Sequence, residues 1–221
     1  MVRKLLQKLA FYNRIRFFRY IYLNFLCKNV VRTDRSRLIP YKGAVIDIAP
    51  GAKLILGGGD VEIGCDLLSG SKAETRVRLR DGAIWSNEGG CRISYGATVE
   101  ILSGGILDTK FFTMNTGSVL IAAKKISLGN DVMMGRNVVV YDSDHHAIRN
   151  IEGQTTNPDA PVSIGDHVWL ATNATVLKGT SIGSGSIISA NSVAHGNVPA
   201  NSLYKAGSIR ENYGSWSREH P

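Results

Sequence analysis

The chain has 221 residues, 43% of them hydrophobic and 20% charged, enough apolar matter to fill a core and far from a disordered composition. Glycine is frequent at 24 and proline sparse at 6, which predicts many short elements joined by tight turns and excludes a collagen-like or low-complexity chain. The net charge of +8 belongs to one end: residues 1–37 carry ten Lys and Arg against Asp34 alone, a local +9, while the remaining 16 basic and 17 acidic residues sum to −1, so no nucleic acid is expected as a partner of the main domain.

From Lys4 to Lys28 the residues Leu5, Leu6, Leu9, Ile15, Phe18, Ile21, Tyr22, Phe25 and Leu26 recur at helical spacing, with Lys8, Arg14, Arg16 and Arg19 between them. This predicts a basic amphipathic helix, or two in succession, over an N-terminal segment of residues 1–40. Its apolar stripe can bury itself on the body of the protein or on a neighbouring subunit, the preferred reading, or residues 1–37 can make a peripheral contact with an anionic membrane surface. No run approaches 18 consecutive apolar residues, so neither a spanning helix nor a cleavable signal is expected. The expected compartment is the cytoplasm, with the inner face of the membrane as its alternative. Cys27, Cys65 and Cys91 are three, widely spaced and without a CxxC pair, and read as buried thiols.

After Pro40 helical periodicity stops and a domain of residues 41–216 is expected, followed by a short tail, 217–221. Units such as IAPGAKL, LRDGAIW and ISYGATV come first, and a clear six-residue period follows. LGNDVM and MGRNVV place Leu128 and Met134 first and Val132 and Val138 fifth. From Ile164 the hexads IGDHVW, LATNAT, VLKGTS, IGSGSI, ISANSV and AHGNVP place Ile164, Leu170, Val176, Ile182, Ile188 and Ala194 first. Their fifth positions are Val168, Ala174, Thr180, Ser186, Ser192 and Val198. A period of six fits neither a helix face nor one alternating strand, so each hexad must be a short strand plus a turn, and coils must stack into a solenoid.

Between these two runs of hexads lies a 20-residue break, Tyr141 to Ala160, which opens with Asp142, Asp144, His145 and His146. A loop this long in a compact domain is usually functional. Its imidazoles suit general base work near neutral pH, and its carboxylates can orient an imidazole or bind hydroxyls; a plain turn role is the alternative for both and the preferred reading for Asp142. A metal is the rival reading, but His145 and His146 are adjacent and diverge, and His167 and His195 have no ligand spacing, so no metal is expected. Cys65 and Cys91 lie away from the loop and have no partnered base, which argues against a covalent intermediate.

The hexads, with YDSDHHAI, NPDAPVSIGDHVW and NATVLKGTSIG, resemble the left-handed parallel β-helix of the hexapeptide-repeat acyltransferases, in the sugar O-acetyltransferase branch that includes maltose and galactoside acetyltransferases and capsule or O-antigen enzymes. The resemblance covers about Ala44 to Trp216 and is strong from Leu128. It implies a homotrimer, with acetyl-CoA as co-substrate held in clefts between neighbouring β-helices. It also implies a base in this loop: the Y-D-S-D-x-H-x-I pattern selects His146, and a gapless comparison with the maltose type selects His145. Asp144 stands beside them, and Tyr141, Asp142 and Asn115 are implied on the acceptor side.

Along the donor cleft the resemblance places Trp169, Ala171, Ser189, His195, Lys205 and Arg210, with core packing as the alternative for Trp169. Ala171 stands where relatives have glycine, His195 stands beside the place of a missing lysine, and a Pro-Ala-Lys segment is deleted before IREN. Lys205 and Arg210 are then either the cations for the CoA phosphates or solvated surface charges. The expectation is direct transfer of acetyl from acetyl-CoA to a hydroxyl of a sugar or glycan precursor. Transfer to an amine of an amino sugar or antibiotic, and a non-catalytic trimeric scaffold, are the alternatives.

Overall fold

The computed structural model describes residues 13–219. The chain winds as a left-handed parallel β-helix whose three faces are sheets of 8, 9 and 7 strands. The first sheet runs from Val30–Arg32 to Asn197–Val198, the second from Leu38–Pro40 to Leu203–Lys205 with Ser208–Arg210 added as its ninth, hairpin strand, and the third from Ala44–Ile48 to Val193–Ala194. All pairings among these strands except that of the final hairpin are parallel, and the chain visits the three sheets in turn. The partners Ile164 and Ile182, and Trp169 and Ile187, lie three hexads apart, so one coil is three hexads.

The period has a direct physical cause. Every first position from Ile164 to Ala194 and every fifth from Val168 to Val198 is buried, as are Leu128, Met134, Val132 and Val138. The first residue fills the interior from a strand, and the small fifth residue packs inside the corner, so stacking builds a continuous apolar column that no single coil could bury. Between them the backbone must turn through left-handed conformation, which Gly and Asn tolerate. At the corner between the second and third sheets Asn137, Asn173 and Asn191 all have positive φ (55°, 60° and 57°). Their side chains form a ladder, Asn137 Nδ2 donating to Asn173 Oδ1 at 3.2 Å and Asn173 Nδ2 to Asn191 Oδ1 at 2.9 Å. One coil earlier Gly117 takes this place, where a Cβ would collide with Asn137.

The first strands of the solenoid, Val30–Arg32 and Leu38–Pro40, lie ahead of the boundary expected near Pro40. Of the expected helix, Lys4 to residue 12 lie outside the described residues. The remainder is helical over Phe17–Ile21 and continues as a π-helix over Tyr22–Leu26. This segment covers the open end of the coil stack. Asn24 donates from Nδ2 to the Leu38 carbonyl (2.7 Å) and accepts from the Leu38 N–H (3.0 Å), imitating a neighbouring strand, while Leu23 plugs the core. Arg16 and Arg19 donate to the carbonyls of Ala44 and Ile46 on the outermost strand of the third sheet.

Of the expected stripe Ile15 is buried but Phe18, Phe25 and Leu26 are exposed, and Leu23, which lies outside that stripe, is the residue buried instead. Cys65 and Cys91 are buried, and burial pushes the Cys65 thiol up to about 12; Cys27 departs from expectation in being only half-buried. At the far end Ser208–Arg210 folds back antiparallel on Leu203–Lys205. Among the described residues no helix is long and apolar enough to cross a membrane.

Candidate active site

The 20-residue break leaves the solenoid at the corner where the third sheet hands the chain to the first. The ladder runs on beneath it without loss of register, Ile126 pairing Val162 and Ile164 pairing Ile182. Asp142 anchors the exit. Its side chain is fully buried, Oδ1 accepting from the Ala123 N–H (2.7 Å) and Oδ2 from those of Lys124 and Lys125 (2.8 and 2.6 Å). Its carbonyl accepts from the Ala160 N–H at 3.0 Å, joining the two roots of the loop. Asp142 is therefore corrected from a substrate-facing residue to a structural one, because both carboxylate oxygens are spent on backbone donors.

Above this anchor a second carboxylate faces solvent. Asp144 Oδ2 accepts from Lys178 Nζ (2.6 Å) and from Asn157 Nδ2 (2.8 Å), and Lys178 also donates to the Asn157 carbonyl (2.9 Å). The Lys178 and Asn157 hydrogen bonds hold the Asp144 carboxyl below the usual carboxylate range. Asn157 in turn donates to the His146 carbonyl (2.9 Å) and accepts from the Ile148 N–H (2.6 Å). Lys178 and Asn157 thus clamp the backbone on which both histidines sit. Sequence reasoning missed Lys178: it reads as an exposed mid-hexad residue, and only its place on the coil below the loop reveals the contact.

His145 takes a left-handed backbone (φ 61°), its N–H donating to Ser143 Oγ at 2.9 Å, and its ring meets Tyr141 edge-on at 5.2 Å. Both histidines are exposed, and among the described residues no hydrogen bond occupies either ring. Together with Ser143, Asp144, Thr155 and Asn157 they line an open cavity of about 260 Å³. Such an arrangement can take a proton from a hydroxyl presented at the loop's root. Asp144, however, is bonded to Lys178 and Asn157 rather than to an imidazole, so it positions the loop more directly than it orients a ring.

The remaining candidates divide between places. His195 follows Ala194 at the same corner as the loop. Asn115, Ala171 and Ser189 follow the ladder-paired Met114, Leu170 and Ile188 and so sit at the corner between the second and third sheets. Lys205 and Arg210 are exposed on the terminal hairpin, with Arg210 over the Tyr213 ring at 5.4 Å. One chain does not bring the second corner to the histidine loop. Among the described residues no three His, Cys, Asp or Glu side chains gather as metal ligands.

Trp169 is half-buried with Trp216 leaning on it, ring centroids 6.3 Å apart. Trp216 belongs to a clasp that the sequence did not announce. It stacks on His167 at 4.2 Å, and its Nε1 donates to the His167 carbonyl at 2.9 Å. His167 Nδ1 lies 2.7 Å from Asp131 Oδ2, and Arg218 Nε donates to Asp131 Oδ1 at 2.6 Å. Burial pushes the Asp131 carboxyl up, but the hydrogen bonds from His167 and Arg218 outweigh it and hold it below the usual range. Up to 87 residues separate these partners, beyond any local pattern; a tryptophan in an otherwise polar tail was the one available signal.

Residues 161–196 match the family model described as bacterial transferase hexapeptide (six repeats). The chain is 44% identical over 69 residues to the polysialic acid O-acetyltransferase of Neisseria meningitidis, 30% of this chain and 32% of that one. It is 31% identical over 94 residues to the putative lipopolysaccharide biosynthesis O-acetyl transferase WbbJ of Escherichia coli K12, covering 38% and 47% of the two chains. The matched stretches thus span a third to a half of these relatives' length. Among solved structures, the polySia specific acetyltransferase NeuO aligns with 87% of this chain and 84% of its own at a TM-score of 0.45 and 18% identity. Over residues 161–196 the coils of this chain are therefore those of the bacterial transferase hexapeptide repeat.

Proposed function

We propose that the protein is an acetyl-CoA-dependent O-acetyltransferase that acetylates a hydroxyl of a sugar or glycan precursor in the cytoplasm. The observation that carries this reading is the histidine loop, an excursion from an unbroken ladder whose base is pinned by Asp142 and whose histidine-bearing backbone is clamped by Asn157 and Lys178. A scaffold would need neither the excursion nor its clamp. The repeat type and the names of the relatives, matched over part of their length, support the same reaction.

In the proposed reaction His146 removes the hydroxyl proton as the oxygen attacks the thioester carbonyl. The tetrahedral intermediate collapses with formation of the ester C–O bond and cleavage of the C–S bond, and the proton passes from His146 to the departing CoA thiolate. The donor candidates Trp169, Ala171 and Ser189 stand away from the loop within one chain, so the site is completed by a second copy, in accord with a homotrimer. His145 is the second reading for the base, favoured by its contact with Tyr141 and by the Asp144 charge beside it.

The test measures CoA release against a panel of nucleotide sugars and simple glycosides. His146→Ala is expected to lower kcat by about 10²–10⁴-fold with CoA binding intact, while His145→Ala keeps most of the activity. The reverse pattern transfers the role to His145. Failure of the wild type to bind CoA or turn over any acceptor overturns the enzyme reading.

A further inference from the structure

The N-terminal segment presents two apolar faces where a cap needs one. Leu23 and Ile15 point into the protein. On the other side Phe18, Tyr22, Phe25 and Leu26, spaced four, three and one apart, form a stripe on the solvent side. Phe18 is 87% exposed, Phe25 72% and Leu26 67%. Capping the β-helix accounts for Asn24, Arg16 and Arg19, and among the described residues it leaves this stripe facing away from the coil stack. Single exposed apolar residues are ordinary, but consecutive aromatic and aliphatic residues along one helix face are not.

The charge around the stripe selects its occupant. Arg14 and Lys28 are exposed on the same segment, and residues 1–37 as a whole carry the local +9 while the rest of the chain carries −1. A second copy of the same segment would bring like charges together with no acidic surface to answer them. A nucleic acid would answer the charge but offers nothing to a Phe/Leu stripe. A bilayer with anionic headgroups answers both, taking the aromatic and leucine side chains into its interface and pairing the cations with its phosphates.

We propose that Phe18, Tyr22, Phe25 and Leu26, with their basic surround, dock the protein on an anionic lipid bilayer, independently of the chemistry at the histidine loop. The experiment is sedimentation of the full chain with vesicles of phosphatidylglycerol and phosphatidylethanolamine, beside vesicles of phosphatidylcholine alone. The protein is expected to pellet with the anionic vesicles at least tenfold more strongly than with the zwitterionic ones, and to be released by raised salt. The triple variant Phe18→Ser, Phe25→Ser, Leu26→Ser alters only exposed side chains and is expected to lose the binding at an unchanged thermal midpoint.

Absence of binding to anionic vesicles overturns the proposal, as does a triple variant that binds like the wild type. A triple variant that dissociates into smaller oligomers while still binding vesicles also overturns it, and assigns the stripe to contact between copies. CoA release is assayed on the same preparations, so loss of the catalytic reading and loss of the docking reading are distinguishable.

Discussion

Asp142 and Asp144 stand two residues apart and do opposite work. Asp142 is sealed under the loop with three backbone donors, and Asp142→Ala leaves those N–H groups facing each other without an acceptor. The expected cost is about 3 kcal/mol of stability, read as a lower midpoint in chemical denaturation. Lys178→Met breaks an exposed contact to Asp144 and Asn157, so the fold should survive with an unchanged midpoint while kcat falls on the order of tenfold through loss of positioning. If both variants lose stability alike, Lys178 is a brace and not a positioning residue. The sequence revealed that this stretch carried carboxylates and imidazoles, but not which carboxylate was buried. That depends on the free N–H groups of residues 123–125, seventeen to nineteen positions away.

At the scale of the element, the hexad fixes strand and corner together. The left-handed corner of Asn173 tolerates Gly and penalises a residue with a Cβ and no side-chain amide. Asn173→Ala is expected to destabilise by about 1–2 kcal/mol, while Asn173→Gly keeps the backbone and loses only the ladder bonds, a difference that thermal unfolding of the pair resolves. Equal losses would show that the ladder, not the backbone, matters there. Hexads were legible from Leu128 because first and fifth positions repeat an inward task on every coil. The N-terminal coils were less legible because strands such as Ala44–Ile48 and Thr75–Leu79 run to five residues, with an insertion at 66–74 that breaks the count. The N-terminal helix was legible as amphipathic but not as a cap, since what it caps is the edge of strands placed later in the chain.

For the whole molecule, the C-terminal clasp ties Trp216 to His167 and Arg218 to Asp131, on two neighbouring coils. Because the folded Asp131 carboxyl is held below its unfolded value, the clasp's contribution is present above the unfolded pKa of roughly 3.9 and is lost as pH falls through the folded value. Intrinsic fluorescence is expected to report release of Trp216 below about pH 4, and Asp131→Asn should remove that acid step by loosening the clasp at every pH. An acid transition unchanged in Asp131→Asn would place its origin elsewhere. Nothing in the sequence joined these residues, because a solenoid brings distant positions together by coil count, and the loop and the insertion alter that count.

The two ends of the coil stack carry a consequence for assembly. A parallel ladder that stopped bare would offer its last strands as a template for the first strands of another copy, and the product would be a fibre. Here the amide of Asn24 occupies the outer N–H and carbonyl of Leu38, and Ser208–Arg210 covers the second sheet at the far end in the opposite direction, while the last strands of the other two sheets are only two residues long. The ends of the spiral are thereby blunted against end-on growth.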